Sequence, residues 1–297
     1  MNLSVKAVVS VTGRDQKGVV ARFATYLAEH GVNIEDIAQQ VVHARFIMDM
    51  LVDLTDLSIP LDQLITDLLE LGKGIGMEVR VVLHGRRRPK RVAVLVSKEP
   101  HCLQRLIEDQ PAWGQRGQII CILANHPNLE PVAKNAGLPF EWQPSTDKLA
   151  HMNWLLDTLT RYQVDLVLLA RYMQILTPDI VQAFRNKIIN IHPSLLPHFP
   201  GAAPYKQAYE SGMRVTGCTA HFVTEVLDEG PIILQDVFHI DVGHDTAEDV
   251  KNKGLALEAQ TLSQAAQMFL DEKLVVVDDK VVFRPGISAF LNHLPPP

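Results

Sequence analysis

The densest run of polar residues on an apolar background is Ile188-Ile189-Asn190-Ile191-His192-Pro193-Ser194-Leu195-Leu196-Pro197. If residues 188–191 form a strand, Asn190 and His192 stand two positions apart and share one face. Pro193 then ends the pairing at the strand's C-terminal edge, where open α/β sheets bind their ligands. A carboxamide and an imidazole side by side at such an edge can hold a carbonyl oxygen while it becomes an oxyanion. The plainer reading is a turn-capping Asn190 and a structural His192. Some thirty residues later, Thr224-Glu225-Val226-Leu227-Asp228-Glu229-Gly230-Pro231 forms a turn-rich loop between two strand candidates. A carboxylate from this loop, folded over the His192 edge, would fix the imidazole tautomer and favour its charged form. Asp228 is one candidate, and it is also an ordinary residue for a turn. Glu225 and Glu229 compete with it, and spacing alone does not choose among the three.

The elements that must position these groups follow from periodicity. After residue 92, the short apolar runs 92–96, 118–124 and 165–170 show little alternation, as expected of strands covered on both faces. Helical stretches at 103–108, 129–136 and 149–162 separate them, which implies a mostly parallel, Rossmann-like sheet with right-handed crossovers. Strand candidates follow at 188–191, 214–223 and 231–240. A long helix spans 246–270, with Asp245 and Glu248 spaced as a capping box, and a closing hairpin turns at Asp278-Asp279. The first 85 residues read differently. A strand at 3–11 leads to a helix at 19–30 that Gly31 stops. Two strands at 33–42 and 45–54 meet at His43-Ala44. A second helix opens at Pro60 and ends before Gly72-Lys73-Gly74, and a last strand covers 77–83. This βαββαβ order is ferredoxin-like.

At 297 residues, the chain is long enough for two cores. With 47% hydrophobic and 21% charged residues it is a globular composition rather than a disordered one. No apolar run reaches the roughly 20 residues of a membrane span, and Arg14, Asp15 and Lys17 interrupt any secretory signal. Cys102, Cys121 and Cys218 are far apart and without a CxxC pair, which fits a reducing cytoplasm. Residues 1–85 hold 7 basic and 11 acidic residues and residues 92–297 hold 16 and 23, while the 5 basic residues of the segment 86–91 stand between them. Nucleic-acid binders spread basic charge over a face; a single knot between two acidic bodies reads as a solvated linker. The expected division is 1–85, a linker at 86–91, and a catalytic domain at 92–297. No histidine shows a ligand spacing such as HExxH, so no metal is expected.

The motif from Asn190 to Pro197, with Leu227-Asp228-Glu229-Gly230-Pro231 after it, resembles the folate-dependent formyltransferase fold. Ala170-Arg171-Tyr172-Met173-Gln174-Ile175-Leu176 and Phe199-Pro200-Gly201-Ala202-Ala203-Pro204-Tyr205 resemble its formyltetrahydrofolate deformylase branch. Asp15-Gln16-Lys17-Gly18-Val19-Val20-Ala21 and His30-Gly31-Val32-Asn33-Ile34 resemble an ACT domain, so the likeness covers nearly the whole chain. The resemblance implies hydrolysis of 10-formyltetrahydrofolate to formate and tetrahydrofolate, feeding one-carbon and purine metabolism. It implies Asn190, His192 and Asp228 as the catalytic three, with no tightly bound cofactor. Substrate contacts fall on Arg171, Met173, Gln174, Ile175, Leu176, Val223, Thr224 and Glu225. An amino-acid effector, glycine or methionine, would meet Asp15, Lys17, Gly18 and Val19 together with Asn33 and Ile34 of a neighbouring subunit in a homo-oligomer.

Related glycinamide ribonucleotide formyltransferases hold phosphate in a glycine-rich loop after the first strand. Val96-Ser97-Lys98-Glu99-Pro100-His101-Cys102-Leu103 has no glycine there, and Glu99 would repel phosphate. Without a phosphorylated acceptor, water is the available nucleophile, and Lys98 with His101 is expected to plug the vacated site. Pro193 stands where the deformylase branch usually carries a second histidine, as in the transferases. The alternatives are therefore a folate-dependent transferase acting on an amine and a catalytically silent amino-acid sensor.

Overall fold

The computed structural model describes residues 5–83, 88–197 and 204–284. Arg86 and Arg87 of the expected linker and residues 199–203 of the Phe199–Tyr205 motif lie outside the described residues. Contacts gather the chain into two compact units.

The first unit holds β1 (Lys6–Arg14), α1 (Val19–Glu29), β2 (Asn33–Val42), β3 (Arg45–Asp53), α2 (Leu61–Gly74) and β4 (Met77–Leu83). Its antiparallel sheet has the order β2-β3-β1-β4, the ferredoxin-like plan expected from periodicity. Phe23 and Leu27 of α1 and Leu64 and Leu68 of α2 are fully buried in one core with Val9, Val11, Met48 and Met50. The β2–β3 turn places His43 at φ 49° and Ala44 at φ 60°, a left-handed pair made without glycine. The expected stop at Gly72 is corrected: α2 continues through Gly74. A Cβ on Gly72 would lie 2.3 Å from Val79 Cγ2 and 2.9 Å from the Met77 carbonyl oxygen, so this glycine lets the helix lie close on β4.

The second unit holds β5 (Lys90–Val96), α3 (His101–Trp113), β6 (Gly117–Ala124), α4 (Glu130–Asn135), β7 (Phe140–Trp142), α5 (Lys148–Arg161), β8 (Leu166–Ala170), α6 (Pro178–Ala183), β9 (Ile188–His192), α7 (Pro204–Glu210), β10 (Val215–Phe222), β11 (Ile232–His239) and α8 (Ala247–Leu270). One sheet of order β11-β10-β9-β8-β5-β6-β7 runs through it. β9, β8, β5, β6 and β7 are mutually parallel, and β10 and β11 join antiparallel. All five residues of β8 are buried, as its unbroken apolar run requires. The capping box of α8 sits one residue later than expected: the Asp249 amide donates to Thr246 Oγ1 at 3.2 Å and the Thr246 amide to Asp249 Oδ2 at 2.9 Å. Asp245 instead accepts from the Asp241 amide and from Lys253.

Two expected boundaries shift. Lys90 and Arg91, placed in the linker by charge, open β5, where Arg91 donates from its amide to Asp165 Oδ2 (2.8 Å) and from Nε to the Tyr162 carbonyl (2.7 Å). The hairpin β12 (Leu274–Val277) and β13 (Lys280–Phe283) turns at Asp278-Asp279 as expected. Residues 271–277 and 282–284, however, group with the first unit rather than the second. Contacts that hold them there include Arg284 to the buried Asp49 at 2.8 Å, Arg80 to Glu272 at 2.7 Å, and Gln40 Nε2 donating to the Phe283 carbonyl at 2.6 Å. Cys102, Cys121 and Cys218 are free and buried. No described helix is long and apolar enough to cross a membrane.

Candidate active site

β9 carries Asn190 and His192 to the C-terminal edge of the sheet on one face. Asn190 lies opposite His221 of β10, and His192 lies opposite Thr219. Thr219 also pins the segment after His192: its hydroxyl donates to the Ser194 carbonyl at 2.7 Å and accepts from the Leu196 amide at 3.0 Å. The β10–β11 register shifts between Ala220 and His221, an irregularity of the kind that re-aims a side chain beside a site.

The 223–231 loop brings the carboxylate. Asp228 Oδ2 is 3.3 Å from His192 Nδ1, while His192 Nε2 is buried without a partner and remains available to a ligand. Asp228 has φ 57°, a left-handed conformation that Asp tolerates better than most residues. The hydrogen bond from His192 holds its carboxyl below the usual value of 3.8. Of the three loop carboxylates that spacing leaves open, Asp228 is the one that faces His192. The Glu225 carboxylate accepts from Gln182 at 2.9 Å, and Glu229 does not line the cavity.

His221 is a residue that sequence reasoning passes over. Its Nδ1–H donates to the Phe222 carbonyl (2.9 Å), which leaves Nε2 as an acceptor for the Asn190 amide nitrogen at 3.2 Å. Burial pushes its pKa down, keeping the ring neutral in this acceptor role. The carboxamide of Asn190 is thereby oriented, with its second N–H free. Only the β9–β10 pairing, across 31 residues, reveals the contact.

These groups line one cavity of about 790 Å³, a size suited to a drug-sized ligand. Arg171, Met173, Gln174, Ile175, Leu176, Val223, Thr224 and Glu225 all line it with Asn190, His192 and Asp228. Met173 and Ile175 are 66% and 56% exposed, so they are not core-packing residues. The arm that bears them is fixed by the Met173 amide donating to Ser97 Oγ (3.0 Å) and by the Tyr172–His151 hydrogen bond. The expected plug differs in detail: Glu99 rather than Lys98 lines the cavity, and His101 turns to Glu258 at 3.2 Å.

The candidate effector residues are not brought together within one chain. Asn33 is level with Asp53 and, through β3, with Lys6, whereas Asp15 follows Arg14 at the other end of β1. At the rise of a β-strand the two ends stand about 27 Å apart.

Two predictions arise here. A Cβ on Gly230 would meet the Phe222 carbonyl oxygen at 1.8 Å, between Asp228 and the start of β11. Gly230→Ala is expected to destabilise the fold by about 1–3 kcal/mol and to move the Asp228 loop. Thermal unfolding and formate release read the two effects; an unchanged melting temperature contradicts the first. The second concerns pH. Burial depresses both His151 and His221 below the usual imidazole value of 6.5. Groups depressed in the folded state contribute stability that is complete above the unfolded value and is lost as pH falls through the folded one. Urea unfolding is therefore expected to show stability falling below about pH 6.5, by up to about 1.4 kcal/mol per pH unit for each ring. A flat profile between about pH 7.5 and 5 contradicts it.

Two family patterns match the chain: Formyl transferase over residues 90–266 and ACT domain over residues 6–82. A formyltetrahydrofolate deformylase from Bacillus subtilis (strain 168) is 37% identical over 273 residues, covering 90% of each chain. The chain belongs to the formyltetrahydrofolate deformylase family. Another member, from Escherichia coli (strain K12), is 38% identical over 275 residues, covering 90% of this chain and 94% of that one. The crystal structure of a formyltetrahydrofolate deformylase from Pseudomonas syringae pv. tomato superposes with a TM-score of 0.85 at 30% identity, covering 96% of both chains. In this deformylase family member, the two matched patterns coincide with the βαββαβ sheet and the mostly parallel sheet described above.

Proposed function

We propose that this chain hydrolyses 10-formyltetrahydrofolate to formate and tetrahydrofolate. The observation that carries the chemistry is the joint placement of Asn190, His192 and Asp228 at one end of a cavity lined elsewhere by exposed apolar side chains. Met173, Ile175 and Leu227 suit the flat faces of a pterin, and Arg171 supplies a donor. Water adds to the formyl carbon as His192 Nε2 takes one of its protons, and the carbonyl oxygen gains the charge. The free N–H of Asn190 and the protonated Nε2 of His192 stabilise that oxyanion. The intermediate then breaks its C–N bond, and the folate nitrogen takes a proton from His192. Asp228 holds Nδ1–H, so the proton that moves is on Nε2. Incubation with 10-formyltetrahydrofolate alone tests the reading. Formate release without any amine supports hydrolysis, and strict dependence on an added amine overturns it in favour of transfer.

We further infer that the protein works in the cytoplasm, supplies one-carbon and purine metabolism, and uses its ACT domain to bind glycine or methionine between paired copies of the chain. The separation of Asp15 from Asn33 within one sheet supports a site completed by a second copy. Calorimetric titration with each amino acid tests this; no heat and no change in rate leave the domain without an effector role.

A further inference from the structure

His101 and Cys102 stand outside the lining of the cavity that holds Asn190, His192 and Asp228. They open α3, and α8 packs along that helix, with Ser263 Oγ donating to Asp109 at 2.6 Å. At this crossing α8 delivers Glu258, whose side chain is completely buried. One ligand atom each from His101, Cys102 and Glu258 lies within 4.8 Å of the others. His101 Nε2 stands 3.2 Å from Glu258 Oε2, at the long limit of a hydrogen bond. Zinc bonds of about 2.0–2.2 Å in a tetrahedral shell put a nitrogen and an oxygen ligand about 3.3 Å apart. That pair is therefore already at ligand separation. Glu258 Oε1 and His101 Nδ1 are buried without a hydrogen-bond partner, and a buried carboxylate oxygen left so is costly enough to require an explanation. The Tyr205 hydroxyl beside Glu258, which makes no well-aligned hydrogen bond, and Arg171, with Nε 3.6 Å from Oε2, offer only partial compensation.

We propose that His101, Cys102 and Glu258 form a binding site for a zinc-class divalent cation. Imidazole, thiolate and carboxylate are the donor set that such a cation selects, and three protein ligands leave a fourth position open. On binding, the Cys102 thiol loses its proton to solvent and an S–metal bond forms; no redox change is involved. Thiolate and carboxylate together balance the two positive charges, so Arg171 is released from Glu258 toward the cavity that both residues line. The ligands are two adjacent residues and a third 157 positions away, which no linear motif could show.

Metal content and Co²⁺ absorption of the full chain test the site independently of formate release. Protein stripped with a chelator and dialysed against Zn²⁺ is expected to hold one equivalent per chain. Co²⁺ is expected to give a thiolate-to-cobalt charge-transfer band in the near ultraviolet. Cys102→Ser should abolish the band, and Glu258→Gln should weaken zinc binding at least about tenfold. Absence of the band in the wild-type protein overturns the proposal whether or not either variant folds. Persistence of the band in folded Cys102→Ser overturns it too, by assigning the thiolate to Cys121 or Cys218.

Discussion

Asp228→Asn is expected to yield a folded protein that releases formate at least about 100- to 1,000-fold more slowly than the wild type. The substitution keeps the shape of the side chain, and Asn tolerates the left-handed φ of 57° at this position as well as Asp does. What it removes is the charge facing His192 Nδ1 at 3.3 Å. An amide in that place can present an N–H instead of an acceptor, which turns the ring to the wrong tautomer, and it no longer supports an imidazolium. The wild-type carboxyl lies below 3.8, so its charge persists above that value and is lost only as pH falls through the lower folded value. Raising or lowering pH around neutrality should therefore leave the deficit of the variant in place. Formate release by purified protein, with melting temperature as the folding control, decides the matter. Near-normal turnover would falsify the role given to Asp228.

Asn190→Ala is expected to cost about 3–4 kcal/mol of transition-state stabilisation, or roughly 100- to 1,000-fold in turnover. The loss should fall on kcat, with KM little changed, because the carboxamide acts on charge that develops only during the reaction. The structure sharpens this expectation. His221 Nε2 takes one amide N–H at 3.2 Å, so the carboxamide is held ready before substrate arrives. A variant whose KM rises while kcat stays constant would show that Asn190 binds the ground state instead.

Much of this site is legible in the sequence because strand periodicity is strict. Two polar residues, two apart in an apolar run that a proline ends, must share a face at a strand end, and Asn190 and His192 do. Spacing narrows the carboxylate only to three residues of one loop, since a loop's path depends on contacts distant in sequence. Here the close approach of Gly230 to Phe222 sets that path. His221 and Glu258 are opaque to pattern reading for the same reason: each reads as an ordinary residue of its own element. Their partners, Asn190 and His101, come from elements paired or packed only in three dimensions. Local signals fail where packing overrides them. Gly72 reads as a helix stop but serves as a smooth contact surface on β4, and Asp245 reads as a cap but is drawn to Lys253 at 2.7 Å.

The ion pair between Arg284 and Asp49 bears on how the chain is made. β4 ends at Leu83, far before Arg284 in the sequence, and the Ser10 hydroxyl donates to the same interior carboxylate. An unmatched charge in such a position is strongly destabilising. The counter-ion of this interior carboxylate therefore comes from a residue far along the chain, and the first unit reaches its paired arrangement only with the 271–284 stretch in place.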